Sequence, residues 1–160
     1  MITLTGLDGI RAAKGTHLGT STWHDVTQER VSAFAAATGD PERIHLDTAV
    51  AEAAGLPGTI AHGLYTLSLG PGFVHELLTV EGVAYPLNYG FDKVRWLAPV
   101  PTGARVRMTA DLVDVRDIPG GVLLHVKQEF EMEGAERPVC VAESLFAYFA
   151  EARTTAGGAR

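Results

Sequence analysis

The chain has a single cysteine, Cys140. That excludes an intramolecular disulfide framework and a cysteine-rich zinc site. Cys140 stands in the apolar run Val139-Cys140-Val141-Ala142 and reads as a small buried hydrophobe before it reads as a nucleophile. Positive charge is also scarce. Thirteen Lys and Arg against nineteen Asp and Glu leave a net charge of −6, with no basic cluster or stripe, so a nucleic-acid backbone is not an expected partner. No long hydrophobic run is present either. The most apolar segment, residues 60–78, is interrupted by His62, Gly70-Pro71-Gly72, His75 and Glu76, which argues against a membrane span. The first fourteen residues lack the basic start and apolar stretch of a signal peptide, so a cytoplasmic location is expected.

What remains is an ordinary globular composition, 46% hydrophobic and 20% charged over 160 residues. A chain of this length buries enough surface to fold without a staple. A single domain is expected over residues 1–151, followed by a flexible tail over 152–160 (ARTTAGGAR).

The first half reads as helical. Thr27 is placed to cap a helix on whose inner face Val31, Phe34, Ala35 and Thr38 recur at helical spacing, and Gly39 ends it with Pro41 beyond. A short helix is expected from Thr48. A third, from Ile60 through Leu64, Leu67, Ser68 and Leu69, lacks a polar outer face and should be the most buried of all. From Tyr85 the period changes to two. Strands are predicted over residues 85–97, around the alternating set Val106, Met108, Ala110 and Leu112, around Val122, Leu124, Val126, Gln128 and Phe130, and over 137–151. Long consecutive strands joined by short turns predict an antiparallel sheet, and the buried helix before them predicts that the sheet wraps around it.

Asp40 and His45 stand five residues apart on the loop that follows the first of these helices. A carboxylate and an imidazole on one loop can share a bound water, one accepting a proton and the other returning one. His62-Gly63 opens the buried helix, where the first backbone N–H groups are unpaired and the helix dipole favours negative charge. Gly63 has no side chain to keep a ligand away from those donors, and an enolate or oxyanion needs such a place. On its own, an Asp and a His after a helix are also what a solvated loop looks like, and His62 can equally be a polar residue satisfied inside the fold.

Residues 34–47 (FAAATGDPERIHLD), 58–69 (GTIAHGLYTLSL) and 85–101 (YPLNYGFDKVRWLAPVP) together resemble the MaoC-like, (R)-specific enoyl-CoA hydratase family, in its nodulation-factor-N-type branch. The resemblance implies an α+β hot-dog fold, an antiparallel sheet around a long central helix, usually paired as a homodimer. The family motif Gly-Asp-x-Asn-Pro-x-His reads here Gly39-Asp40-Pro41-Glu42-Arg43-Ile44-His45. The catalytic Asp and His carry over to Asp40 and His45, while Glu42 and Arg43 replace the Asn and Pro between them. The oxyanion donor carries over to the backbone N–H of Gly63. A serine that some members place further along the helix falls at Pro71, which leaves Ser68, one turn away, as a substitute.

The resemblance implies a hydro-lyase that adds water reversibly to a trans-2-enoyl thioester of CoA or of an acyl-carrier protein, without metal or redox cofactor. Which of Asp40 and His45 is acid and which is base stays open at this point. His62 is a further candidate for substrate contact, as are Asn88 and Arg95 on the following strand; Arg95 or Lys93 could meet a CoA phosphate, although a solvated strand face is the better reading of both. Trp23-His24, Tyr65 and Trp96 are most simply core or interface aromatics. The rival readings are a hot-dog thioesterase and a non-catalytic acyl-thioester-binding subunit.

Overall fold

The computed structural model describes residues 1–150, so the expected tail lies outside the described residues. Local signals place the helices. Thr27 accepts a hydrogen bond from the Arg30 N–H at 3.3 Å and starts α2 (Gln28–Thr38), which ends at Gly39 in the left-handed region, φ 70°. Before it come β1 (Ile2–Thr5), α1 (Gly6–Ala12), β2 (His17–Thr20) and β3 (His24–Asp25). After it a 3₁₀ turn (Arg43–His45) leads to α3 (Thr48–Ala53), which is capped by the Asp47 carboxylate. Then follow α4 (Gly63–Ser68), α5 (Gly70–Leu77) and β4 (Leu78–Glu81). The long strands are β5 (Tyr85–Trp96), β6 (Arg105–Ile118), β7 (Gly121–Met132) and β8 (Cys140–Phe149).

The main sheet is antiparallel with the order β2-β6-β7-β8-β5, and β3 also pairs with β6. The predicted alternation sets its inner face. Val106, Met108, Ala110 and Leu112 are fully buried, and so are Val122, Leu124, Val126, Gln128 and Phe130. Tyr65 and Leu67 of α4, with Phe73, Val74 and Leu77 of α5, join them in one core. The sheet wraps around these two helices, which is the hot-dog arrangement the resemblance implied.

Several elements differ from expectation for identifiable reasons. The buried helix starts at Gly63, not Ile60, because Ile60 bridges to Pro101 and the Ala61 N–H donates to the Val100 carbonyl at 2.8 Å. Leu64 is 58% exposed, so α4 does have an outer face, although an apolar one. The helical path continues through Pro71, which sits in the first turn of α5, where a missing N–H costs nothing. A parallel pair, β1 with β4, forms a second, two-stranded sheet; strands of four residues are too short to show a period. In β5, register shifts after Asn88 and after Phe91 break the strict alternation of its two faces. The last strand spans Cys140–Phe149, so Arg137 and Pro138 lie before it.

Candidate active site

The loop from Gly39 to Asp47 is built by its own side chains. The Asp40 N–H donates to the Ala35 carbonyl at 3.1 Å, an α2 C-terminal bond that fixes where the Asp40 carboxylate emerges, 55% exposed. Glu42 and Arg43, the two departures from the family motif, shape the 3₁₀ turn. The Glu42 carboxylate accepts from the Arg43 N–H at 3.0 Å and caps that turn, and the Arg43 guanidinium pairs with Asp47 at 2.6 Å. The same pairing holds the Asp47 carboxyl below its ordinary range, helped by the Val50 N–H.

His45 is buried at the end of the turn. Its Nδ1 lies 2.7 Å from the Ile60 carbonyl, which only accepts, so Nδ1 carries the proton and Nε2 is left with a free lone pair. Its own carbonyl accepts from Gln28 Nε2 at 2.9 Å. Gln28 in turn accepts from Thr59 Oγ1 at 2.6 Å, and Thr59 meets Thr102 at 2.8 Å. The chain thus holds His45 from α2 on one side and from the segment entering α4 on the other.

His62, 3% exposed, lies behind His45. The two imidazoles stack with centroids 3.7 Å apart and planes 28° from parallel. His62 Nε2 donates to the Asp40 carbonyl at 3.1 Å, and Phe34 packs on its other side. Asp40, His45 and His62 each bring a polar atom within 4.8 Å of the others. A zinc ion needs lone pairs converging at about 2.0–2.1 Å. Near-parallel stacked rings send theirs along separate planes. A separation of up to 4.8 Å between the Asp40 carboxylate and a His45 nitrogen leaves room for a bridging water.

A cavity of about 310 Å³ opens beside His45, with Gly63, Thr66, Ile60, Trp96, Val100 and Cys140 among its walls. Gly63 is the first residue of α4, so its N–H belongs to the unpaired first turn. Its missing side chain has a cause the sequence did not reveal. A Cβ there would stand 2.8 Å from the Trp96 indole. Glycine at this position makes room for Trp96. Cys140 is fully buried, and burial pushes its thiol up to about 11, which fits the reading as a hydrophobe.

The structure gathers Asp40, His45, His62 and Gly63 around one place and disperses the other candidates. Ser68 donates back to the Tyr65 carbonyl at 2.7 Å and is not on the cavity wall. Asn88 borders a separate hollow of about 180 Å³ beside Pro71 and His75. Arg95 and Lys93 face the outer side of the sheet, where Lys93 pairs with Glu143 at 3.0 Å and Arg95 lies near Lys127 and Glu129. Thr66 and Trp96 reach the cavity and Gln28 braces His45, although sequence reasoning passed over these roles. Thr66 lies three residues after Gly63, one helical turn, and that spacing was the available signal.

Residues 10–132 match the MaoC like domain. The chain belongs to the MaoC-like family. Two curated relatives match most of its length. One is 3-hydroxyacyl-thioester dehydratase Z of Mycobacterium tuberculosis (strain ATCC 25618 / H37Rv), 46% identical over 151 residues, 94% of this chain and 100% of that protein. The other is nodulation protein N of Rhizobium meliloti (strain 1021), 34% identical over 145 residues, 85% of this chain and 86% of that protein. Among solved structures, a monoamine oxidase regulatory protein from Archaeoglobus fulgius superposes with a TM-score of 0.78 at 22% identity, covering 94% of this chain and 98% of that one, a likeness of fold.

Proposed function

We propose that this MaoC-like protein is a hydro-lyase that reversibly hydrates a trans-2-enoyl thioester to a 3-hydroxyacyl thioester, with the (R) product of its family. Support comes from family membership and from the relative named as a 3-hydroxyacyl-thioester dehydratase. The observation that carries the reading is the His45 Nδ1–Ile60 carbonyl bond, which leaves Nε2 as the proton acceptor of a ring that lines the cavity shared with Gly63 and brings a nitrogen within 4.8 Å of the Asp40 carboxylate.

In this mechanism one water lies between Asp40 and His45 and gives one hydrogen bond to each. As its oxygen attacks C3, Nε2 of His45 takes the proton, and the Ile60 carbonyl steadies the imidazolium through Nδ1–H. Asp40 orients the water and favours the same charge. Electron density moves through C2 to the thioester oxygen, where the Gly63 N–H receives it; a donor of this kind is commonly worth about 3 kcal/mol. The imidazolium then protonates C2, so one water has been added and His45 is restored. The conjugated thioester already polarises C3, so this chemistry calls on no metal or redox cofactor. The acyl group enters on CoA or on a carrier protein.

The same reading includes a homodimer. β5 is an edge strand of twelve residues, and Leu87, Tyr89 and Phe91 on it are 44%, 63% and 39% exposed. An edge so long and apolar invites pairing with a second copy. Among the described residues no helix is long and apolar enough to cross a membrane.

The test is loss of enoyl absorbance with crotonyl-CoA, with a thiol reagent in a parallel sample. Absorbance loss without thiol release is expected. Thiol release with the acyl chain unhydrated would make the protein a thioesterase, and tight binding without either would make it an acyl-binding subunit.

A further inference from the structure

On the cavity wall the Trp96 side chain stands where a Cβ of residue 63 would project. A carbon built at the Cβ position of Gly63 would stand 2.8 Å from Trp96 Nε1 and 2.9 Å from both Cδ1 and Cε2. Near-equal distances to three adjacent ring atoms put that point over the face of the five-membered ring, not at its edge. The indole therefore lies flat against Gly63, and both residues border the cavity that His45 enters.

The wall cannot retreat with its strand. Trp96 is the last residue of β5 and pairs with Cys140 of β8, and the next N–H, Leu97, donates to the Val139 carbonyl at 2.8 Å. Only the side chain, 49% exposed, is free to change the width of the slot. A thioester oxygen held by the Gly63 N–H lies beside this ring. Conjugation keeps that oxygen, C1, C2 and C3 in one plane, and a substituent on C2 lies in the same plane, two bonds from the carbonyl carbon. A hydrogen at C2 adds little breadth; a methyl group broadens the plane next to Gly63, where the indole already stands.

We propose that Trp96 determines specificity at C2: its indole face narrows the slot beside Gly63 so that the site takes acyl thioesters unsubstituted at C2 and rejects those carrying a methyl or larger group there. The assignment rests on Gly63 as the thioester-oxygen donor in the proposed reaction. No C2-substituted acyl group should therefore be a good substrate, whatever the chain beyond C3.

The experiment compares kcat/KM for crotonyl-CoA and 2-methylcrotonyl-CoA in the wild-type protein, Trp96→Ala and Trp96→Phe. The readout is the ratio between the two substrates, which cancels both the lower intrinsic reactivity of the branched alkene and any general loss of activity. Relative to wild type, Trp96→Ala should shift the ratio toward the branched substrate by about tenfold or more, the range one methyl group commands in a shaped pocket. Trp96→Phe, which keeps an aromatic face, should stay near the wild-type ratio. An unchanged ratio in a folded Trp96→Ala protein overturns the proposal. Trp96→Leu provides a second variant should the alanine form not fold, with the same shift expected and the same contrary result. If the wild-type protein hydrates neither substrate, the reaction itself fails, and calorimetric affinities for butyryl-CoA and 2-methylbutyryl-CoA then judge Trp96 separately. A preference for the unbranched ligand that Trp96→Ala abolishes supports the wall, and equal discrimination by both proteins overturns it.

Discussion

At Gly63 two demands meet on one residue: an unpaired N–H must face the cavity, and the indole of Trp96 must lie over the Cα. The backbone itself accepts any residue, since Gly63 is not among the glycines at positive φ. Gly63→Ala should therefore keep the fold. Its Cβ pushes an indole that can move, at a cost of about 1 kcal/mol of overpacking, and alanine returns about as much in helix propensity. The melting temperature should stay within a few degrees while kcat/KM falls by about tenfold or more, because the displaced ring deforms the slot. Wild-type kinetics in this variant would contradict the contact. Cys140 offers a second check. With its thiol raised from 9.0 to about 11 by burial, the folded state resists deprotonation more than the unfolded chain does. That contribution to stability is complete below about pH 9 and is lost as pH rises toward 11. At pH 8 iodoacetamide should label the urea-unfolded chain and leave the native protein unlabelled; fast native labelling would contradict the burial.

Among elements, the joint between α2 and the 3₁₀ turn carries the loop proposed to be catalytic. Gln28, in the first turn of α2, donates its amide N–H to the His45 carbonyl and accepts a hydrogen bond from the Thr59 hydroxyl with its oxygen. Gln28→Ala leaves both partners short of a bond in a half-buried place, so stability should drop by about 1–3 kcal/mol in a urea titration. Turnover should fall more than substrate affinity, because His45 loses its brace and not its ring. A variant with unchanged midpoint and turnover would show the brace to be idle.

The long strands and α2 were legible because each repeats its pattern over ten or more residues, so Val31 and Ala35, or Met108 and Leu112, announce their faces. That Asp40 and His45 come close together was legible because a single loop carries both. The shortest strands were not: β1, β2 and β4 have four residues each. α5 hid behind Gly70-Pro71-Gly72, a breaker in the middle of a helix and an acceptable start at its first turn. Gln28 and Trp96 join the site only through distant contacts, across 17 residues to His45 for one and onto Gly63 for the other. Spacing along the chain contains neither contact. Arg95 stands away from the cavity beside His45 for a related reason. Neighbouring residues of a strand face opposite ways, and Trp96 takes the inner side.

For the whole molecule, the exposed edge β5 and the cavity are linked, since Trp96 ends the strand and lines the site. Pairing two copies along β5 would cover Leu87, Tyr89 and Phe91 and bring a second chain near Trp96. Sedimentation equilibrium at micromolar concentration should give twice the chain mass. Tyr89→Lys with Phe91→Lys should shift the protein toward monomer, since charge on an edge opposes pairing. A wild-type mass equal to one chain, with full activity, would contradict the dimer.

In the proposed reaction Asp40 and His45 share one water, and the decisive measurement is the rate of crotonyl-CoA hydration by Asp40→Asn and His45→Ala beside the wild-type protein, with circular dichroism to show that both variants are folded. Removing either member of a positioned acid–base pair should lower kcat by about 10²–10⁴-fold. Both variants should also lose the reverse dehydration to the same extent. Folded Asp40→Asn and His45→Ala proteins that hydrate crotonyl-CoA at the wild-type rate would contradict the account.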